Sequence, residues 1–265
     1  MHTILLATWR YRHFVLSSIR SELMIRFSRS RLGALWIIIH PLMQAAIFAL
    51  VLSEVMAAKM SGMATHKFAY AIYLMSGMLA WSLFIEVISR CLTLFIDNGH
   101  LLKKIVFPRL CLPLIVMGSA LLNSVLLFLA VLGVFGLLGH WPGVQIIWVP
   151  ALLAITLTLA LSIGLILGVL NVFMRDIGQV VPIILQLGFW FTPIVYSIDV
   201  IPQVFRQFLV FNPLLPIVQG LQNAMLYNQS PDVAGLISVF CIALVLLGFA
   251  MLLFRKASPE MVDVL

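Results

Sequence analysis

Apolar residues in this chain come in long unbroken runs separated by short polar or basic stretches. Gly33 to Ser53, Phe68 to Ile85, Ile177 to Ile198 and Val233 to Phe254 contain no Asp, Glu, Lys or Arg. A hydrocarbon layer about 30 Å thick is crossed by roughly 20 apolar residues in helical form, so each run reads as one span. Leu110 to Met174 is also free of charge and is interrupted only by Gly139-His140-Trp141-Pro142-Gly143. Gly and Pro there mark a tight turn, which divides the stretch into two spans. The pattern predicts an all-α integral membrane protein of six transmembrane helices, over about 33–54, 68–92, 110–138, 145–173, 177–198 and 232–254.

The segments between the runs carry their own periodicity. In the first 32 residues, Val15, Leu16, Ile19, Leu23 and Phe27 recur at spacings of three and four among Ser and Arg. That spacing predicts an amphipathic helix on the membrane surface, over 1–32, partly sheltered by protein. Arg26 projects into its apolar arc, where Glu22 one turn earlier is placed to pair with it. Residues 199–232 are too apolar for an exposed loop, and Pro202, Pro213 and Pro216 divide them into pieces too short to cross. They read as two short re-entrant or interfacial helices on the outer side, about 202–211 and 214–227. The loop from Ile96 to Arg109 has Asp97 or Asn98 to cap a helix and Pro108 to stop one, predicting a short amphipathic helix over 97–108. Residues 255–265 form a tail.

Charge sets the orientation. Thirteen of the sixteen Lys and Arg residues fall on the side of the termini, and only Lys59, Lys67 and Arg206 fall opposite. Basic residues are retained on the cytoplasmic side of short loops, so both termini are cytoplasmic. The net charge of +7 is accounted for by this topology-setting face, with anionic lipid against it, and calls for no nucleic acid. No cleavable leader is expected, because arginines run up to the first span.

With 63% hydrophobic and 9% charged residues, the chain leaves no room for a soluble catalytic domain. It has no phosphate-cradling G-x-x-x-x-G-K-[ST] loop, so it does not hydrolyse ATP by itself. The histidines are scattered, no catalytic or metal-ligand constellation emerges, and Cys91, Cys111 and Cys241 read as packing residues. An ion-driven carrier would bury ionisable groups at mid-membrane. Glu54 lies instead at the outer end of the first span, and Glu86 and Arg90 lie one turn apart, neutralising each other. His40, Gln44, Asn123, Asn171 and Gln186 are polar positions within spans, suited either to interhelical hydrogen bonds or to lining a polar path. Gly164 and Gly168 make a G-x-x-x-G pair, which lets two helices approach.

Several of these segments resemble a known family. Arg26-Phe27-Ser28-Arg29-Ser30-Arg31-Leu32-Gly33-Ala34-Leu35-Trp36 with Pro41-Leu42 resembles the basic entry to the first span in permease subunits of ABC exporters of bacterial polysaccharides, of O-antigen, capsule and teichoic acid types. Asn98 through Leu102-Lys103-Lys104 to Phe107-Pro108 is similar to that family's coupling helix. Asn171-Val172-Phe173-Met174-Arg175-Asp176-Ile177 is similar to its inner turn, with Met174 departing from the usual aromatic or polar residue. Trp190-Phe191-Thr192-Pro193-Ile194-Val195-Tyr196 and Asn212-Pro213-Leu214 also match.

The resemblance implies a homodimer in a bacterial plasma membrane, paired with two copies of an ATPase chain that holds ATP and magnesium. The cargo it implies is a polyprenyl-diphosphate-linked glycan, most like O-antigen. Asn98, Leu102, Lys103, Lys104 and Phe107 would touch the ATPase. Arg26, Arg29 and Arg31 suit the lipid diphosphate by charge and fork geometry, and suit topology setting equally. Trp36, Phe48, Trp81, Phe84, Phe189, Trp190, Phe191 and Tyr196 are candidates for stacking on sugar in the channel, as well as for helix packing. The two outer helices would seal the exit. The alternatives are a permease of the same architecture for a drug or another lipid, and an ATP-independent flippase or secondary transporter.

Overall fold

The computed structural model describes residues 11–29, 35–57, 68–100 and 110–264, and among these every regular element is helical. Among the described residues the α-helices run in this order: α1 Arg12–Arg29, α2 Leu35–Ala57, α3 Ala69–Asp97, α4 Cys111–Leu137, α5 Val149–Phe173, α6 Ile177–Phe191, α7 Gln203–Leu209, α8 Leu215–Gln222 and α9 Val233–Val264. A 3₁₀ turn, Val144–Trp148, leads into α5, and a π turn, Asn223–Tyr227, follows α8. Among the described residues, α3, α4, α5 with its leading turn, and α9 are long and apolar enough to cross a membrane. Two further apolar stretches, Ile38–Val51 in α2 and Ile177–Phe191 in α6, are shorter.

The centre of the bundle is α3, which touches α2, α4, α5, α6 and α8. Both α3 and α5 are mostly buried, whereas α4 and α9 present most of their length to the surroundings, as lipid-facing helices do. Glycine permits the tight α3–α5 contact. A Cβ at Gly164 would stand 2.8 Å from the Cβ of Cys91, and one at Gly168 would collide with the carbonyl oxygen of Cys91. Asn171, one turn further, donates its amide to the carbonyl of Leu92 at 2.8 Å. With little hydrophobic drive between helices in lipid, such close backbone approach and interhelical bonding hold the pair together.

Local chemistry sets the ends. Beyond α4, Gly139 adopts φ +74°, and the amides of Gly139 and His140 return to the carbonyls of Gly136 and Phe135. This is a Schellman closure, which needs the left-handed conformation that glycine takes freely. Pro150 opens α5 in the first turn, where its missing N–H costs nothing. Asp232 caps α9 by accepting the amide of Ala234 at 3.2 Å. Pro41 and Pro182, by contrast, lie inside α2 and α6, where each leaves the carbonyl four residues earlier without its helical donor.

One expectation changes here. Cys91 and Cys111 are buried, but Cys241 is exposed on the outer face of α9 and does not pack in the core. Beyond the apolar run of α9, the helix continues through Pro259 to Val264, with Phe254 stacked on Phe95 at 5.3 Å and Met261 buried.

Candidate functional site

A cavity of about 640 Å³ lies between α2, α3 and α6. From α2 come Trp36, His40, Pro41, Gln44 and Phe48; from α3, Trp81, Ser82, Ile85 and Glu86; from α6, Pro182, Gln186, Phe189 and Trp190. On all three helices the liners recur at spacings of three, four or seven, so each helix presents one face to the space. Pro41 and Pro182, inside the two shorter apolar helices, both belong to this lining.

The aromatic liners touch one another. Phe48 stacks on Phe189 with centroids 5.8 Å apart and meets Trp190 edge-on at 6.4 Å. Trp81 meets Phe189 edge-on at 5.6 Å, and Phe189 and Trp190 lie at the same separation. Three of these four contacts are edge-on, the arrangement that ring quadrupoles favour. Among the eight aromatic candidates, Trp36, Phe48, Trp81, Phe189 and Trp190 line the cavity. The other three lie outside it. Phe84 is buried against Trp81, Phe191 points away from the bundle, and Tyr196 donates its hydroxyl to the carbonyl of Trp190 at 2.5 Å.

The polar positions divide into two roles. His40, Gln44 and Gln186 line the cavity. Asn123 and Asn171 are buried between helices, donating to Glu86 Oε1 at 2.5 Å and to Leu92.

Glu86 connects the cavity lining to a charged network on α1, α3 and α4. Its carboxylate lies 3.7 Å from Arg90, but the shorter contacts of Arg90 are to Glu22 on α1. Arg90 Nη2 donates to both carboxylate oxygens of Glu22, at 2.9 and 2.7 Å, while Nη1 donates to Ser119 on α4 at 2.6 Å. The side chain of Arg26, the local partner expected for Glu22, lies outside the described ones, and α1 turns Glu22 toward the bundle and Arg90. Ile19 packs beside it on Gly118 of α4. One guanidinium thereby holds α1, α3 and α4 together at the foot of the cavity.

Other sequence-derived sites fall elsewhere. Asn98 donates its side-chain amide to the carbonyl of Leu94 at 2.8 Å, closing α3. Leu102, Lys103, Lys104 and Phe107 lie outside the described residues, as do Arg31 and the side chains of Arg26 and Arg29. Tyr70, Tyr73, Ser119 and Gln222, which the sequence did not single out, prove to be structural anchors. Their signal was present as hydroxyl and amide groups in apolar runs, with Tyr70 and Tyr73 three residues apart on one helical face.

Comparison with known proteins yields one consistent group. Residues 14–226 match the family described as ABC-2 type transporter. The chain is 26% identical to the O-antigen export system permease protein RfbA of Myxococcus xanthus, covering 96% of each chain. It is 30% identical to a protein of the same name from Klebsiella pneumoniae over 74% of each. Similarity also extends to the polysialic acid transport protein KpsM of Escherichia coli, at 24% identity over 91% of this chain and 92% of that one.

Proposed function

Because the chain belongs to the ABC-2 type transporter membrane family, we propose that it is the permease of an ATP-driven exporter of lipid-linked polysaccharide, most like the O-antigen branch. It is a multi-pass protein of the bacterial inner membrane. In this reading α2 and α6 complete a six-span topology with cytoplasmic termini, and two copies enclose the path. The cargo is a glycan on a polyprenyl diphosphate. The observation that carries the reading is the cavity, whose walls combine five aromatic rings with His40, Gln44, Gln186 and Glu86.

A sugar ring offers an apolar C–H face and a rim of hydroxyls. Aromatic faces take the first and side-chain amides take the second, without demanding one particular sugar. A polymer of repeating units needs such a surface, because it must move past each contact it makes.

Power comes from a partner. An ATPase pair binds ATP and magnesium and engages residues 97–108 through Asn98, Leu102, Lys103, Lys104 and Phe107. Arg26, Arg29 and Arg31, at the inner membrane surface, receive the diphosphate by charge-assisted hydrogen bonds.

The test is ATP-dependent uptake of radiolabelled lipid-linked glycan by inverted membrane vesicles containing this chain and its ATPase. Transport is expected only with both chains and ATP. A Trp81→Ala, Phe189→Ala double variant is expected to slow it roughly tenfold or more, the loss of two ring contacts of about 1 kcal/mol each. Transport by the permease alone would overturn the proposal in favour of an ATP-independent carrier.

A further inference from the structure

The run Thr192-Pro193-Ile194-Val195-Tyr196 has no part in lining the cavity, yet side chains from three separate segments converge on it. It begins where α6 ends, with Thr192 in extended backbone, and it is buried at Thr192, Ile194 and Val195. Non-helical backbone inside a membrane domain must have its carbonyls paired by protein. Here the partners are side chains. Tyr70 donates to the carbonyl of Val195 at 2.7 Å. The hydroxyl of Tyr73 lies 3.1 Å from the carbonyl of Pro193 and 2.9 Å from that of Tyr196, so its single proton is shared between them. Gln222, at the end of α8, donates to the carbonyl of Pro193 at 3.1 Å. From the outer side, Asn212 donates to the hydroxyl of Thr192 at 2.9 Å and the carbonyl of Phe191 at 3.2 Å. Gly77 leaves the room for this, since a Cβ there would stand 3.0 Å from the Gln222 amide nitrogen and 3.3 Å from Ile194 Cγ2.

The segment of α6 that carries Gln186, Phe189 and Trp190 into the cavity is therefore bounded by two weak points. Pro182 interrupts the helical ladder at one end, and at the other the helix gives way to a turn held by exchangeable neutral hydrogen bonds. We propose that Tyr70, Tyr73 and Gln222 are positioning residues that latch the outer end of α6 to α3 and α8, and that the exit widens when this latch lets go. The inference rests on the reading of the chain as an export conduit.

Two measurements test it on the full chain reconstituted with its ATPase. In liposomes without ATP, a Tyr73→Phe, Gln222→Leu variant is expected to release trapped calcein roughly tenfold faster than wild type, the effect of removing two neutral hydrogen bonds from the closed state. A Gly77→Cys, Ile194→Cys pair, in a Cys241→Ser background, places thiols within disulfide reach. Oxidation with copper phenanthroline is expected to stop ATP-driven glycan export, and dithiothreitol to restore it. Unchanged calcein release from a variant inserted at wild-type level overturns the latch. So does undiminished export through the oxidised crosslink, in which case the conduit reading survives. A wild-type chain that moves no glycan with its ATPase removes both.

Discussion

At the level of single residues, glycines show how position decides the outcome of one change. A methyl group at Gly168 would meet the backbone oxygen of Cys91, which cannot swing aside, whereas one at Gly133 would meet nothing within 4 Å. Gly168→Ala is expected to cost about 1–3 kcal/mol through overpacking. Gly133→Ala, in the last two turns of α4, should be neutral or stabilising by up to about 1 kcal/mol, since alanine is the better helix former. Thermal unfolding in detergent of the two variants side by side checks this, and equal midpoints would count against the observed α3–α5 packing. The G-x-x-x-G pair was legible from spacing alone. The partner was not, because nothing in the sequence near Cys91 marks it as the surface two glycines will meet. Glu22 teaches the same lesson: helical spacing points it at Arg26, but the fold delivers Arg90, 68 residues away.

At the level of helices, the Glu22–Arg90 contact makes a prediction about α1. The two side chains retain 36% and 21% exposure, so solvent screens the pair and it contributes on the order of 1 kcal/mol. Glu22→Gln or Arg90→Leu is therefore expected to loosen α1 without unfolding the bundle. Trypsin cleavage at Arg12 and Arg20 in sealed inverted vesicles should become about fivefold faster at low salt, with the wild type approaching the variant as ionic strength rises. A cleavage rate indifferent to both substitution and salt would mean that Ile19 and its neighbours hold α1 unaided. Element boundaries were legible wherever a turn residue announced them, as at Gly139 and Asp232. The end of α6 at Phe191 was not, because Thr192 to Ile198 is as apolar as the helix before it. What stops the helix is Pro193, which drives Thr192 into extended backbone, and distant hydroxyl and amide donors then take up the freed carbonyls; hydropathy along the chain registers neither.

At the level of the whole molecule, class and family were legible because both depend on runs and ordered motifs that survive without knowledge of contacts. The cavity was legible only in part. Aromatic and polar candidates could be named, but their sorting into liners, such as Phe189 and Gln186, and packing residues, such as Phe84 and Asn171, depends on helix rotation. If the 97–108 loop passes ATPase motion to the spans, Leu102→Asp with Phe107→Asp should abolish ATP-driven export while membrane insertion stays at wild-type level. Co-purification of the ATPase, measured in the same preparation, is expected to fall with it. Retained export would place the contact elsewhere on the inner surface.

The prolines of the two shorter apolar helices carry a further consequence. Pro41 and Pro182 each deprive the carbonyl one turn earlier, at Ile37 and Gly178, of its usual donor, and in a helix that carbonyl lies on the same side as the proline ring. Each of the two shorter helices is thus short of one internal hydrogen bond beside the cavity, where the rings of Pro41 and Pro182 stand. Changing the other lining side chains one by one leaves both gaps in the ladder, so bending at these two points is expected to persist in a heavily mutated bundle.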